Sequence, residues 1–180
     1  MLPKKELDKT AILKLLQDLD TSLEGIQRKI RLYCVGGTIM VLSGLRATSK
    51  DVDFIADRED FRTISRYIAE VELKEKMRFD IFPDGHMPNY QYKDYQTHAT
   101  DAPFLFKHIQ LYFLDTIDFV LTKAIAGRKL DYRDINSITS PDNVPKEELL
   151  ERFKNIKPNV GESSEIERKF NKFVSDFYRK

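Results

Sequence analysis

The sequence predicts an α/β (α+β) fold, a small mixed β-sheet with helices, followed by a C-terminal helical part. Three observations point there. Segments of period 2 and of helical period take turns up to about Phe113. From Asp115 onward only helical patterns recur. The length of 180 residues and the 41% hydrophobic content suit one domain, or one domain with a small helical extension. The division expected is an αβ core over 1–114 and a helical part over 115–180.

The elements follow in order. Leu7, Ile12, Leu13, Leu15, Leu16 and Leu19 recur at helical spacing, which predicts an amphipathic helix from about Lys4 to Leu19. Asp20-Thr21-Ser22 is expected to break it or to cap a short turn. Ile30 to Val35 alternates as a strand, ended by Gly36-Gly37. Thr38 to Leu45 is apolar and short, a buried helix of about two turns by the usual 3.6 residues per turn. Asp51 to Ala56 is the second strand. Asp57 is a plausible cap for a helix from about Glu59 to Glu70, with Phe61, Ile64 and Ile68 as its apolar stripe.

Arg78 to Phe82 is a third strand, closed by the turn Pro83-Asp84-Gly85. From His86 to Pro103 the pattern dissolves into a loop with room for a short strand, and Tyr90, Tyr92 and Tyr95 lie in it. Lys107 to Phe113 alternates again. Asp115 or Thr116 then caps a helix that Gly127 stops. Further helices are expected over Tyr132 to Ile138, from Pro145 at a first helical position to Phe153, and from Ser164 to Tyr178. The last presents Ile166, Phe170, Phe173 and Phe177 on one face.

Composition narrows the function classes. Charged residues make up 33% but balance to a net charge of +1, so no global field draws in nucleic acid. The single cysteine, Cys34, lies in an apolar run and reads as a core thiol, which together with the lack of a disulfide framework fits a reducing cytosol. No signal peptide fits the start, and no apolar run approaches the roughly 18 residues of a membrane span. A cytoplasmic protein with no membrane partner is expected. His86, His98 and His108 show no ligand spacing.

The chemistry concentrates in acids. In a strand, alternate residues share a face, so Asp51 and Asp53 point the same way and Val52 and Phe54 the other. Two charges roughly 6.6 Å apart repel by about 2.5 kcal/mol at an effective dielectric of 20. A compensating cation is therefore expected: a metal ion, Lys50, Arg46, or Arg31 on the neighbouring strand. Asp80 is flanked by Phe79 and Ile81, which would face the core and turn it to the other side. If the two strands are neighbours, three carboxylates converge. That donor set suits magnesium or manganese, hard cations that keep positions open for substrate phosphates. Solvated acids at a sheet edge are the plain alternative. Gly36 and Gly37 allow close approach of backbone to a ligand, and Thr38 near a helix start suits a phosphate. A tight turn with no ligand accounts equally for the pair taken alone.

A glycine pair, a short helix, then Asp-x-Asp, with a third acid on a later strand, resembles the nucleotidyltransferase fold of the polymerase-beta superfamily. Gly36-Gly37, Asp51, Asp53 and Asp80 match in order and setting. Leu121 to Arg128 followed by Asp131-Tyr132-Arg133-Asp134-Ile135 resembles the Lys, Arg and Asp signature of AbiEii-type toxin nucleotidyltransferases, and still more the related small DUF6036 domains. The resemblance covers roughly Leu7 to Ile138 and not the tail after Pro145. It departs from the superfamily pattern in having Gly-Gly rather than Gly-Ser, with Thr38 as the nearest hydroxyl.

The resemblance implies an enzyme that moves a nucleoside monophosphate from a nucleoside triphosphate (NTP) to a hydroxyl of RNA or protein. Asp51, Asp53 and Asp80 would be catalytic and hold Mg2+ (or Mn2+). Gly36, Gly37, Thr38, Lys50, Lys123, Arg128 and Asp131 would hold the nucleotide, with Lys123 on the triphosphate and Asp131 or Asp134 positioning nucleotide or metal. A tRNA end or a protein side chain is the acceptor this implies, and a toxin role would add a cognate antitoxin as partner. The alternative is a catalytically inactive nucleotide- or partner-binding module on the same fold.

Overall fold

The computed structural model describes residues 6–75, 79–83, 94–156 and 163–179. Among them, eight α-helices and five strands form a mixed α/β architecture. The chain divides into two compact units, Met1–Asp84 with Ala99–Phe113 and Gly85–His98 with Leu114–Lys180.

In the first unit, helix α1 is Lys9–Ser22. Its start is set by Asp8, whose side chain accepts the Ala11 N–H at 2.8 Å. The helix therefore begins later than periodicity predicts, and Leu7 forms an isolated antiparallel bridge with Ser49 instead. Asp20-Thr21-Ser22 does not break the helix. The Thr21 and Ser22 hydroxyls donate to the carbonyls of Gln17 and Asp18, both at 2.9 Å. Asp20 turns inward, 3% exposed. Its carboxylate accepts the N–H groups of Lys107, His108 and Ile109 at 3.0, 2.7 and 2.9 Å. A buried strand entry needs acceptors for its N–H groups, and that tertiary demand overrides the local preference of Asp for a helix end.

The strands are β1 (Ile30–Cys34), β2 (Val52–Ala56), β3 (Phe79–Pro83), β4 (Thr100–Asp101) and β5 (Ile109–Phe113). Their order in the sheet is β3-β2-β1-β5-β4. β1 runs antiparallel to β2 and parallel to β5, β2 runs parallel to β3, and β4 is antiparallel to β5. Helix α2 (Gly36–Leu42) joins β1 to β2, and α3 (Arg58–Glu75) joins β2 to β3, the crossover that a parallel pair requires. Asp57 caps α3 as expected, accepting the Asp60 N–H at 2.8 Å. The helix runs on past Glu70 to Glu75. β4 is the short strand within the expected loop. Of the turn Pro83-Asp84-Gly85 only Pro83 is described, and Tyr90 and Tyr92 lie outside the described residues.

Register assigns the two sheet faces. Ile30, Leu32, Cys34, Val52, Phe54, Ala56, Ile109 and Leu111 share one face and are all at most 1% exposed. The opposite face carries Arg31, Tyr33, Asp53, Asp80, Gln110 and Tyr112. On that face Tyr33 and Tyr112 stack with ring centroids 4.8 Å apart. Cys34 is a buried core thiol, as read from the sequence, and burial pushes its pKa well above the ordinary value.

The second unit holds α4 (Tyr95–His98), α5 (Thr116–Ala126), α6 (Lys129–Ile138), a 3-10 turn (Pro141–Asn143), α7 (Lys146–Lys154) and α8 (Ser163–Phe177). Tyr95 is buried. Helix α5 is capped by Asp115, which accepts the Asp118 N–H at 2.8 Å, and ends at Gly127, both as expected. Helix α6 begins earlier than Tyr132 because the Asp131 carboxylate accepts the Arg128 backbone N–H at 3.0 Å. Pro145 is the residue before α7 rather than its first helical position. α6, α7 and α8 all pack on α5, whose residues from Ile117 to Ile125 are all buried. The stripe Ile166, Phe170, Phe173 and Phe177 is buried too, with Phe170 stacked on Phe153 at 3.8 Å.

A charged cluster sits at the start of α5. Arg152 of α7 donates to Asp115 at 2.9 and 2.7 Å, to Glu148 at 2.6 Å, and to Asp118. Asp118 is fully buried, and its Oδ2 has no hydrogen-bond partner among the described residues. Burial pushes the Asp118 carboxyl from 3.8 up to about 6. Arg152 opposes that rise without cancelling it, and Glu148 adds to it.

Two outcomes are expected. Asp20→Ala strands three backbone donors and lowers the unfolding free energy by about 3 kcal/mol in urea titrations. For Asp118, the folded chain holds a proton that the unfolded chain releases between pH 3.8 and about 6. Stability is therefore lost as pH rises through that window, by up to about 3 kcal/mol. Asp118→Asn should flatten this dependence, raising the melting temperature at pH 7.5 and leaving it unchanged near pH 4.

Candidate active site

Strand pairing brings two of the predicted acids together. Asp53 of β2 stands directly opposite Asp80 of β3 in the parallel register, on strands that lie about 4.8 Å apart. Both are half-buried. The register is held by Val52 and Phe54, each 0% exposed on the other face. A slip of one residue would push the acids into the core and these apolar groups out of it. Asp51 lies just ahead of β2 and is also half-buried.

The glycine turn fits around Asp53. Gly36 has φ +58°, and a Cβ there would lie 2.5 Å from Asp53 Oδ2. An alanine would thus be strained in its backbone and would also push the carboxylate aside. A Cβ on Gly37 would collide with Ser49 Oγ and lie 3.2 Å from Arg46 Nη1. Both glycines belong to the first turn of α2, rather than ending β1 ahead of a helix from Thr38.

Thr38 is 0% exposed. Its Oγ1 accepts the Asp53 N–H at 2.7 Å. The Val35 N–H donates to the Asp53 carbonyl at 3.2 Å, and Ser49 Oγ donates to the Asp51 carbonyl at 2.9 Å. The backbone carrying both acids is therefore held by Thr38, Val35 and Ser49. Lys50 is exposed beside Asp51. Sequence reasoning does not single out Ser49, and it assigns Arg46 no role beyond that of a candidate compensating cation. The sole signal for either is the polar turn Arg46 to Lys50.

Among the described residues, no group of three His, Cys, Asp or Glu side chains is placed to hold a metal ion by itself. What the sheet offers is a facing pair of carboxylates with a third nearby in sequence, and the bare Gly36 leaves room for one of them. Magnesium is commonly held by one or two carboxylates, with substrate phosphates and water filling the remaining positions. The residues fit a cation shared with a phosphate ligand better than an all-protein cage.

In the helical unit the structure gathers Lys123, Arg128, Asp131 and Asp134 with one another. Lys123 is 4% exposed. Its ammonium donates to Asp131 Oδ1 at 3.0 Å and Asp134 Oδ2 at 2.7 Å. Arg128 is largely exposed and donates from Nε to Asp131 Oδ2 at 2.7 Å. Burial pushes the Asp131 carboxyl up, but Arg128 and Lys123 outweigh it and hold the group below its ordinary value. The four formal charges balance, so no member of this cluster is buried without an opposite partner.

Nucleotidyltransferase is the class to which comparison with known families assigns this chain. Residues 10–179 match the model of the family described as "Nucleotidyltransferase of unknown function (DUF6036)", and the chain belongs to that family. The match runs on past Pro145, where the resemblance read from the sequence stops. No curated protein and no solved structure matches the chain. Among the described residues no helix is long and apolar enough to cross a membrane.

Lys123→Met isolates what that ammonium does. Leaving Asp131 and Asp134 buried without it should cost about 3–5 kcal/mol of stability, read by urea unfolding. A loss below about 1 kcal/mol, together with loss of nucleotide binding, would mark Lys123 as a ligand contact instead.

Proposed function

We propose that the protein is a divalent-cation-dependent nucleotidyltransferase that moves a nucleoside monophosphate from an NTP to a hydroxyl. The carrying observation is the facing pair Asp53 and Asp80, set against a glycine turn shaped around one of them, in a chain of a nucleotidyltransferase family.

In this reading Asp51 and Asp53 hold Mg2+ (or Mn2+) with the triphosphate, and Asp80 completes the set. The bound cation would offset phosphate charge and the charge on the departing pyrophosphate. Gly36 and Gly37 let the phosphates approach the backbone, Thr38 keeps the acid-bearing strand in place, and Lys50 adds positive charge at the rim. Asp80 orients the acceptor hydroxyl and takes its proton. The acceptor oxygen bonds to the α-phosphorus, the bond to the bridging oxygen breaks, and pyrophosphate leaves. The acceptor proposed is a hydroxyl of RNA, such as a tRNA end, or of a protein side chain. A toxin role in the manner of the AbiEii-type enzymes would pair the chain with a cognate antitoxin in the cytoplasm.

The same glycine turn would also serve a second reading, a nucleotide-binding module without turnover. Incubation with labelled NTPs, magnesium and cell RNA or protein separates the two. Transfer that falls at least about 100-fold in the Asp51→Asn, Asp53→Asn double variant supports the enzyme. Undiminished transfer by that variant would refute the acid roles, and tight NTP binding without product favours the module.

A further inference from the structure

A triphosphate needs a cation where the acids stand. In the unit that carries the acids, Arg31 donates to Asp57 at 2.6 Å, at the start of α3, and Arg46 is held at the glycine turn itself.

We propose that Arg46 is the triphosphate-binding cation of this site. The inference rests on the reading above and names the group that receives the phosphates. The Arg46 backbone N–H donates to the Met40 carbonyl at 3.2 Å, at the far end of α2. Its side chain runs back to the beginning of that helix, where Nη1 lies 3.2 Å from the position a Gly37 Cβ would take. Ser49 Oγ also crowds that position, so glycine at 37 is the condition for both groups to lie there. At the preceding residue, Gly36, the Asp53 carboxylate fills the equivalent space. Consecutive Cα atoms are about 3.8 Å apart. A guanidinium and a carboxylate are thus seated on successive residues of one turn.

That juxtaposition matches a phosphate chain sharing a cation with Asp53. The carboxylate would hold the metal, and the planar fork of the guanidinium would take two phosphate oxygens at once. Arg46 is half-buried, and its backbone is tied down, so less freedom is lost on binding than for an exposed side chain such as Lys50.

The probe is inorganic tripolyphosphate with magnesium, measured by calorimetry on the full chain. Wild-type protein should bind it, Arg46→Gln at least about 10-fold more weakly, and Arg46→Lys in between, because the charge stays while the fork is lost. Melting curves check that the variants are folded. If Arg46→Gln does not fold, Arg46→Lys carries the test. Equal binding by the variants, or no binding of tripolyphosphate by wild type, overturns the proposal. If label transfer is absent but tripolyphosphate binding depends on Arg46, the inference stands and turnover falls. If Arg46→Gln transfers label at the wild-type rate, the inference falls and the enzyme reading stands.

Discussion

The carboxylate of Asp53 lies against the bare α-carbon of Gly36, and much of the first unit is arranged to keep it there. Gly36 is left-handed and without a side chain. Thr38 and Val35 fix the Asp53 peptide on both sides. Ser49 fixes the neighbouring Asp51 peptide and is itself bridged to Leu7 ahead of α1. These contacts join the start of α1, the start of α2 and the strand β2 around one acid. Two negative groups on the same sheet face repel, and the backbone bonds and the buried Val52 and Phe54 face set the register independently of the charges.

The helical unit solves a related problem differently. Its central helix α5 buries Asp118 and Lys123 along with its apolar residues. Lys123 and Arg128 are balanced by two aspartates, so each charge has a partner. At the other end of the helix, one guanidinium serves three carboxylates, and burial raises the Asp118 carboxyl. The contrast follows from charge count. A neutral cluster can remain ionised in the interior, whereas an excess acid is driven toward its protonated form.

The family membership and the acid geometry support each other without duplicating each other. The family names a class of chemistry across nearly the whole chain. The register adds that Asp53 and Asp80 face one another, and the glycine turn adds that Asp53 lies against Gly36 and the Arg46 guanidinium against Gly37. A site in which protein supplies a pair of carboxylates and an arginine leaves part of the coordination to the substrate, which is the usual division of labour for magnesium and phosphates.

Where a signal is local, the sequence alone determined the outcome. Asp57 and Asp115 cap their helices, Gly127 ends α5, and period-2 alternation places β1, β2 and β5 to within a residue or two. It also determined that Asp53 and Asp80 would turn away from the core, because their apolar neighbours had to enter it. Tertiary structure decided the rest. Asp20-Thr21-Ser22 stays helical because a distant strand needs Asp20 as an acceptor. Thr38 holds the Asp53 peptide, a partner that lies across the turn and leaves no periodic trace. Nothing local to Lys123 marks its buried partners, which it meets only when α6 folds onto α5 and encloses it. Periodicity and capping report energies within a few residues of chain. The partner of a buried charge or hydroxyl is chosen by packing between segments far apart in sequence.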